Sequence, residues 1–121
     1  MAVDLDILKT QYLQKDTSTQ LGRLATNLAQ LQALAQAATE EQLAQDLIRE
    51  SQFLIEWAVP NLNLETKLGL AVELVELQRQ LSRWKLHWSR LWANPGERGQ
   101  IAKCAQDWSA RLYALSGLLA S

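Results

Sequence analysis

From Leu70 onward, large apolar residues recur at alternating steps of four and three: Leu70, Leu74, Leu77, Leu81, Trp84, Trp88, Leu91. A repeat of about 3.5 residues keeps one side of a helix turned toward a packing partner. The stretch Asn63 to Ala93 is therefore predicted to be one long helix of about nine turns. At about 100° per residue, Leu68, Val75 and Leu86 gather almost opposite this seam, with Ala71 and Val72 flanking them. A helix that is apolar on two sides needs two covers. One is the rest of its own chain; the other predicts self-association.

The same spacing recurs elsewhere. Residues 3–15 read as a first short helix, capped at Asp4 or Ala2, with Leu5, Leu8 and Tyr12 on one side. Asp16-Thr17-Ser18-Thr19 favours caps and turns, and predicts a break before the stripe Leu21, Leu24, Leu28, Leu31, Ala35, Ala38. Thr39-Glu40-Glu41-Gln42 has the pattern of a capping box, a hydroxyl and a carboxamide three residues apart closing on each other's amides. The helix it opens is expected to turn Leu43, Leu47, Leu54 and Ala58 inward and to stop at Pro60. Asn61 or Asn63 then caps the long helix. Asn94-Pro95-Gly96-Glu97 closes that helix and opens the last, since Asn caps, Pro suits the first helical position and Glu suits the third. The last helix carries Ile101, Ala105, Trp108, Leu112, Leu115 and Leu119, and Gly117 is expected to fray its end.

Connections this short make successive helices run antiparallel. The expected fold is all-α: one domain over residues 1–121, an antiparallel up-down four-helix bundle with a long third helix and a short extra N-terminal segment. The long helix outruns the one before it by roughly 18 Å. Its far end, holding Trp84, Trp88, Leu91 and Trp92, should project past the Thr39 end of the first hairpin. Aromatic anchors of this kind are typical of interfaces. These four residues are the sequence's candidates for a homodimer or partner contact.

Composition agrees. Ala, Glu, Lys, Leu and Arg supply 60 of 121 residues, a share that points to long helices. The single Cys104 rules out an internal disulfide framework and fits a reducing compartment. The start, MAVDLDILKT, lacks a basic region followed by an apolar run, so no signal peptide is expected. No run approaches the ~18 apolar residues of a membrane span. A cytoplasmic location is the default expectation. Charge is uneven: residues 1–78 carry five Lys/Arg against eleven Asp/Glu, and residues 79–121 seven against two. Such asymmetry suits either an anionic partner or two halves packed together.

Candidate chemistry is sparse. The Trp84, Trp88, Trp92 ladder could stack a planar ligand, but three indoles on one stripe are more simply core or interface. Arg79, Arg83 and Arg90 share one side of the long helix and would serve as anion, partner or phosphate contacts. The mildly acidic chain, without a helix-turn-helix, zinc finger or basic arm, argues against a nucleic-acid partner. His87 is the only histidine. The paired Glu-x-x-His motifs of a di-iron bundle are missing. A Cys104–His87 pair has no evident third member to orient the base. No phosphate loop or nucleophile elbow occurs. The expectation is no catalytic residue, no metal site, no cofactor and no enzymatic activity.

Phe53-Leu54-Ile55-Glu56-Trp57, the run Ala71 to Gln78, the tryptophan ladder closing in Asn94-Pro95, and Trp108-Ser109 with Leu115 to Leu119 carry a further signal. From about Gln20 onward the chain resembles small uncharacterised helical-bundle proteins of cyanobacteria. That resemblance implies a cytoplasmic helical protein and brings no catalytic residues with it. The functional expectation is a non-enzymatic protein–protein interaction or scaffold module that self-associates through helix 63–93. A bundle binding an apolar or planar ligand, in a cavity lined by Leu81, Trp88, Ile101 and Trp108, is the alternative.

Overall fold

Capping side chains set most of the helix starts. The computed structural model describes residues 4–120, in the order α1 (Leu5–Leu13), α2 (Thr17–Ala37), α3 (Glu41–Ala58), a 3-10 turn (Val59–Asn61), α4 (Leu64–Leu86), α5 (Trp88–Ala93) and α6 (Pro95–Ala120). The chain is all-helical, with no strand among the described residues. The Asp4 carboxylate accepts the amides of Asp6 and Ile7. Asn63 accepts Glu65 N–H at 2.9 Å, and Asn94 accepts Glu97 N–H at 3.0 Å ahead of Pro95. Each bond satisfies an amide that the first turn leaves without a helical partner. The alternative cap at Ala2 and the expected start at Val3 lie outside the described residues.

The break expected at 16–19 falls at Gln14 to Asp16, and Asp16 caps α2 by accepting Thr19 N–H at 2.8 Å. Hydrogen bonding from the Thr19 side chain, then its amide, holds the Asp16 carboxyl below its ordinary range. The unfolded chain thus takes up this proton at a higher pH than the folded chain does. The cap's contribution is present above the unfolded pKa of about 3.9 and is lost as pH falls through the lower folded value. Asp16→Asn keeps an acceptor but does not titrate. Acid unfolding of that variant, followed by helical circular dichroism, is expected to be shallower below pH ~4 than in the unaltered protein. An unchanged acid limb would mean that the Asp16 cap does not couple to stability.

The α2–α3 corner departs from the predicted capping box. Ala38 (φ 53°) and Glu40 (φ 52°) are both left-handed, and Thr39 N–H is spent on the Leu34 carbonyl at the end of α2. Glu40 takes the cap position without a side-chain bond, and Gln42 turns its amide to Asp46 at 3.0 Å. Two helix ends compete for one residue, and the C-terminal closure of α2 takes Thr39. α3 accordingly presents Ala44, Ile48, Ser51, Ile55 and Ala58 to the core, together with Leu47 and Leu54. Leu43, expected inside, is 45% exposed.

One contiguous core runs the length of the molecule. It includes the predicted stripe Leu21, Leu24, Leu28, Leu31 and Ala35 of α2, the seam Leu74, Leu77, Leu81 and Trp84 of α4, and Ile101, Ala105 and Leu112 of α6. Ala38 is exposed, and the predicted Leu119 is 38% exposed. α6 continues through Gly117 to Ala120 without fraying. Small residues let α2 and α6 approach closely: Ala25 and Ala105 are fully buried, and the Ser109 hydroxyl donates to the Ala25 carbonyl at 2.8 Å. Ser18 and Ser116 bond each other further along. Toward α3, Asn27 donates to Glu50 and Ser51, and Arg23 clasps Glu50 at 2.7 Å. α1 is latched by a reciprocal pair, Tyr12 hydroxyl to the Gln20 carbonyl and the Gln20 amide to the Tyr12 carbonyl. Burial pushes the Tyr12 phenol well above its ordinary value, so it stays a donor.

Candidate interaction face

The predicted long helix is divided. His87 (φ −109°, ψ 21°) ends α4 and starts α5, and a second irregularity sits at Lys67 (φ −128°, ψ 28°). Trp84 lies before His87 and Trp88 and Trp92 after it, and all three indoles are packed inward. Trp88 Nε1–H donates to the Glu41 carboxylate at 2.9 Å, in the first turn of α3. Trp88 stacks on Trp92 with centroids 5.1 Å apart, and the Arg98 guanidinium lies over Trp92 while donating to its carbonyl. Trp84, Trp88, Leu91 and Trp92 are all buried within the one chain, none more than 9% exposed. The end of the helix pair does not stand clear of α3, as the length difference suggested. It folds down onto it.

The opposite side of α4 is uncovered. Leu64, Leu68 and Val72 are 56%, 58% and 54% exposed, Val75 is 41% and Leu86 is 76%. At about 100° per residue, Leu68, Val72, Val75, Arg79, Ser82 and Leu86 occupy an arc of about 80°, centred roughly opposite Leu74, Leu77 and Leu81. Both apolar faces expected from the sequence thus exist, and only one is filled. Two ties hold the helix in place. Gln78 donates to the Gln52 carbonyl and Gln52 to the Ser82 hydroxyl, binding it to α3. Arg111 of α6 pairs with Glu73 at 3.0 Å. An open groove of about 760 Å³ flanks the stripe, with Ile55, Val59 and Pro60 on one wall and Val75, Arg79 and Ser82 on the other. Gln78 Oε1 is buried there with no hydrogen-bond partner. The sequence reading missed Leu64 and this α3 wall. The step of four from Leu64 to Leu68 could have extended the stripe, but nothing local to residues 55–60 reveals a neighbour twenty residues away.

The three candidate arginines are scattered in use. Arg79 pairs with Glu76 at 3.1 Å, one turn back along the exposed face. Arg83 donates to Gln80 at 3.4 Å, and Arg90 lies 3.9 Å from Glu97. Two of the three are thus neutralised by neighbouring carboxylates, which weakens them as a phosphate-binding row.

His87 and Cys104 do come together, lining one hollow of about 360 Å³ with Arg83, Trp84 and Ile101. Burial above all, then Asp107, pushes the Cys104 thiol up, against a smaller opposing pull from Arg83. The thiolate is the nucleophile, so a raised thiol is a poor one at neutral pH. Among the described residues no group of three or more His, Cys, Asp or Glu side chains is placed to hold a metal ion. No helix among them is long and apolar enough to cross a membrane. Leu81, Trp88 and Ile101, expected to line a ligand cavity, lie in the core, and the Trp108 ring carries the Arg111 guanidinium at 4.8 Å. No family model, no curated protein and no solved structure matches this chain.

Proposed function

We propose that this chain is a non-enzymatic protein–protein interaction module that self-associates through its long helix, with the outer face of α4 as the contact surface. The observation that carries this reading is the row Leu64, Leu68, Val72, Val75 and Leu86, each more than 40% exposed on a helix whose other face is packed. Apolar side chains scattered over a surface are ordinary; five along one helix face, beside an apolar groove, make a contact surface awaiting its partner. In the same reading α2, α3, α4 and α6 form an antiparallel up-down bundle. The pairings support it, since rising numbers on one helix meet falling numbers on the next: Ser18 with Ser116 and Ala25 with Ser109, Glu41 with Trp88 and Gln52 with Ser82. The contact surface is the outer face of α4, and the tryptophan end is the core that holds α4 in position.

Light scattering over a dilution series tests this directly. The unaltered protein is expected to show a mass above that of one chain at high concentration. Val75→Asp should shift it to the monomer. Each buried Val contributes about 1.5 kcal/mol, a buried carboxylate adds a desolvation cost, and both occur twice per dimer. Association should therefore weaken about 100-fold or more, while monomer stability stays within about 0.5 kcal/mol because the site is exposed. A single-chain mass at every concentration would remove the self-association reading.

A further inference from the structure

We infer that the second copy docks on α4 antiparallel, in the register that sets Leu68 against Leu86 of the partner subunit and lets Arg79 reach Glu76 of the partner subunit. This rests on the outer face of α4 being the self-association surface, and goes on to the orientation and specificity of that contact. The order of residues on the stripe selects the orientation. Leu68, Val75 and Ser82 fall on one row and Val72, Arg79 and Leu86 on the other, alternating by three and four. In an antiparallel pair, each position of one row faces a position of the other row. One register gives every position on the stripe a partner and sets the two end leucines together: Leu68 with Leu86 of the partner subunit, Val72 with Ser82 of the partner subunit, and Val75 with Arg79 of the partner subunit. A parallel, in-register pair would put Arg79 against Arg79 of the partner subunit at a layer flanked by apolar residues, two like charges being desolvated together.

Charge completes the match. Arg79 already lies 3.1 Å from Glu76 of its own chain, both side chains more than half exposed. In the antiparallel register its aliphatic stem lies over Val75 of the partner subunit. Its guanidinium then comes beside Glu76 of the partner subunit, and the two-fold axis makes this ion pair twice. The two Glu76 carboxylates come to the same edge at the two-fold axis, where the two Arg79 guanidinium groups offset their repulsion. The stripe from Leu68 to Leu86 is about 28 Å long. Alone it provides less than the ~800 Å² per partner of a standard interface. The flanking groove adds apolar surface from Val59 and Pro60, and the result is a reversible dimer.

Disulfide trapping in a Cys104→Ser background tests the register. Leu68→Cys with Leu86→Cys is expected to give a covalent dimer on mild oxidation, because only the antiparallel register brings those two positions within the ~7 Å Cα separation a disulfide spans. Either substitution alone should stay monomeric on a non-reducing gel. Arg79→Glu should weaken the dimer about 10-fold or more, and adding Glu76→Arg should restore it to within about 3-fold. Cross-linking by either single variant would mean a parallel pair. A dimer that Val75→Asp dissociates, but that the double cysteine variant never traps, would mean another register on the same face. Either result overturns this inference while the contact-face reading stands; a protein that is monomeric throughout overturns both.

Discussion

Trp88→Ala is expected to lower the free energy of unfolding by about 3–5 kcal/mol and to leave the mass distribution of the folded protein unchanged. Trp88 is 5% exposed, stacks on Trp92 and bonds Glu41. Removing the indole opens a cavity between Trp92 and the start of α3 and takes away the donor to Glu41. Against the total of about 5–15 kcal/mol typical of a domain, this is a large fraction. Urea unfolding measures it as a lower midpoint with an unchanged slope. Trp88→Phe, which keeps the stack and loses the N–H, should cost far less, about 1 kcal/mol for the hydrogen bond. If Trp88→Ala instead dissociates a dimer and leaves the monomer equally stable, the tryptophan end is an interface after all.

Ala105→Leu should be nearly as damaging for the opposite reason, costing about 1–3 kcal/mol or somewhat more. Ala105 of α6 and Ala25 of α2 are fully buried, and the Ser109 hydroxyl reaches the Ala25 carbonyl at 2.8 Å. Three added carbons have no void to enter. They force the two helices apart, stretching the Ser109 bond and, further along, the Ser18–Ser116 pair. The readout is a lower urea midpoint together with weakened near-ultraviolet circular dichroism, as the tryptophan packing loosens. A cost under about 0.5 kcal/mol would show that the helices are not held at this separation. The two substitutions bracket the core: one empties it and the other overfills it, and neither touches the outer face of α4.

The uneven charge along the chain finds a partial use inside the molecule. Arg111, from the basic end, pairs with Glu73, from the acidic part, and so joins α6 to α4. Arg90 and Glu97 pair within the basic end itself. These surface ion pairs contribute little stability each, about 0–1 kcal/mol.

The helices and most of their limits were legible in the sequence because the signals act over a few residues. Asp16, Asn63 and Asn94 bond amides two or three positions ahead, and the step of three and four marks Leu21 to Ala35 and Leu74 to Trp84 as core whatever lies opposite. The second apolar face of α4 was legible on the same grounds. Whether a given face is covered was not. That depends on where neighbouring helices end and how they cross, which no local pattern encodes. Thr39 could serve either of two helix ends, and only the packed corner assigns it to α2. Trp84, Trp88 and Trp92 read equally well as core or interface until the packed chain buries all three and sets Trp88 against Glu41. Packing Leu74, Leu77, Leu81 and Trp84 inward leaves Leu68, Val72, Val75 and Leu86 facing outward, because one helix can turn only one side to its own core.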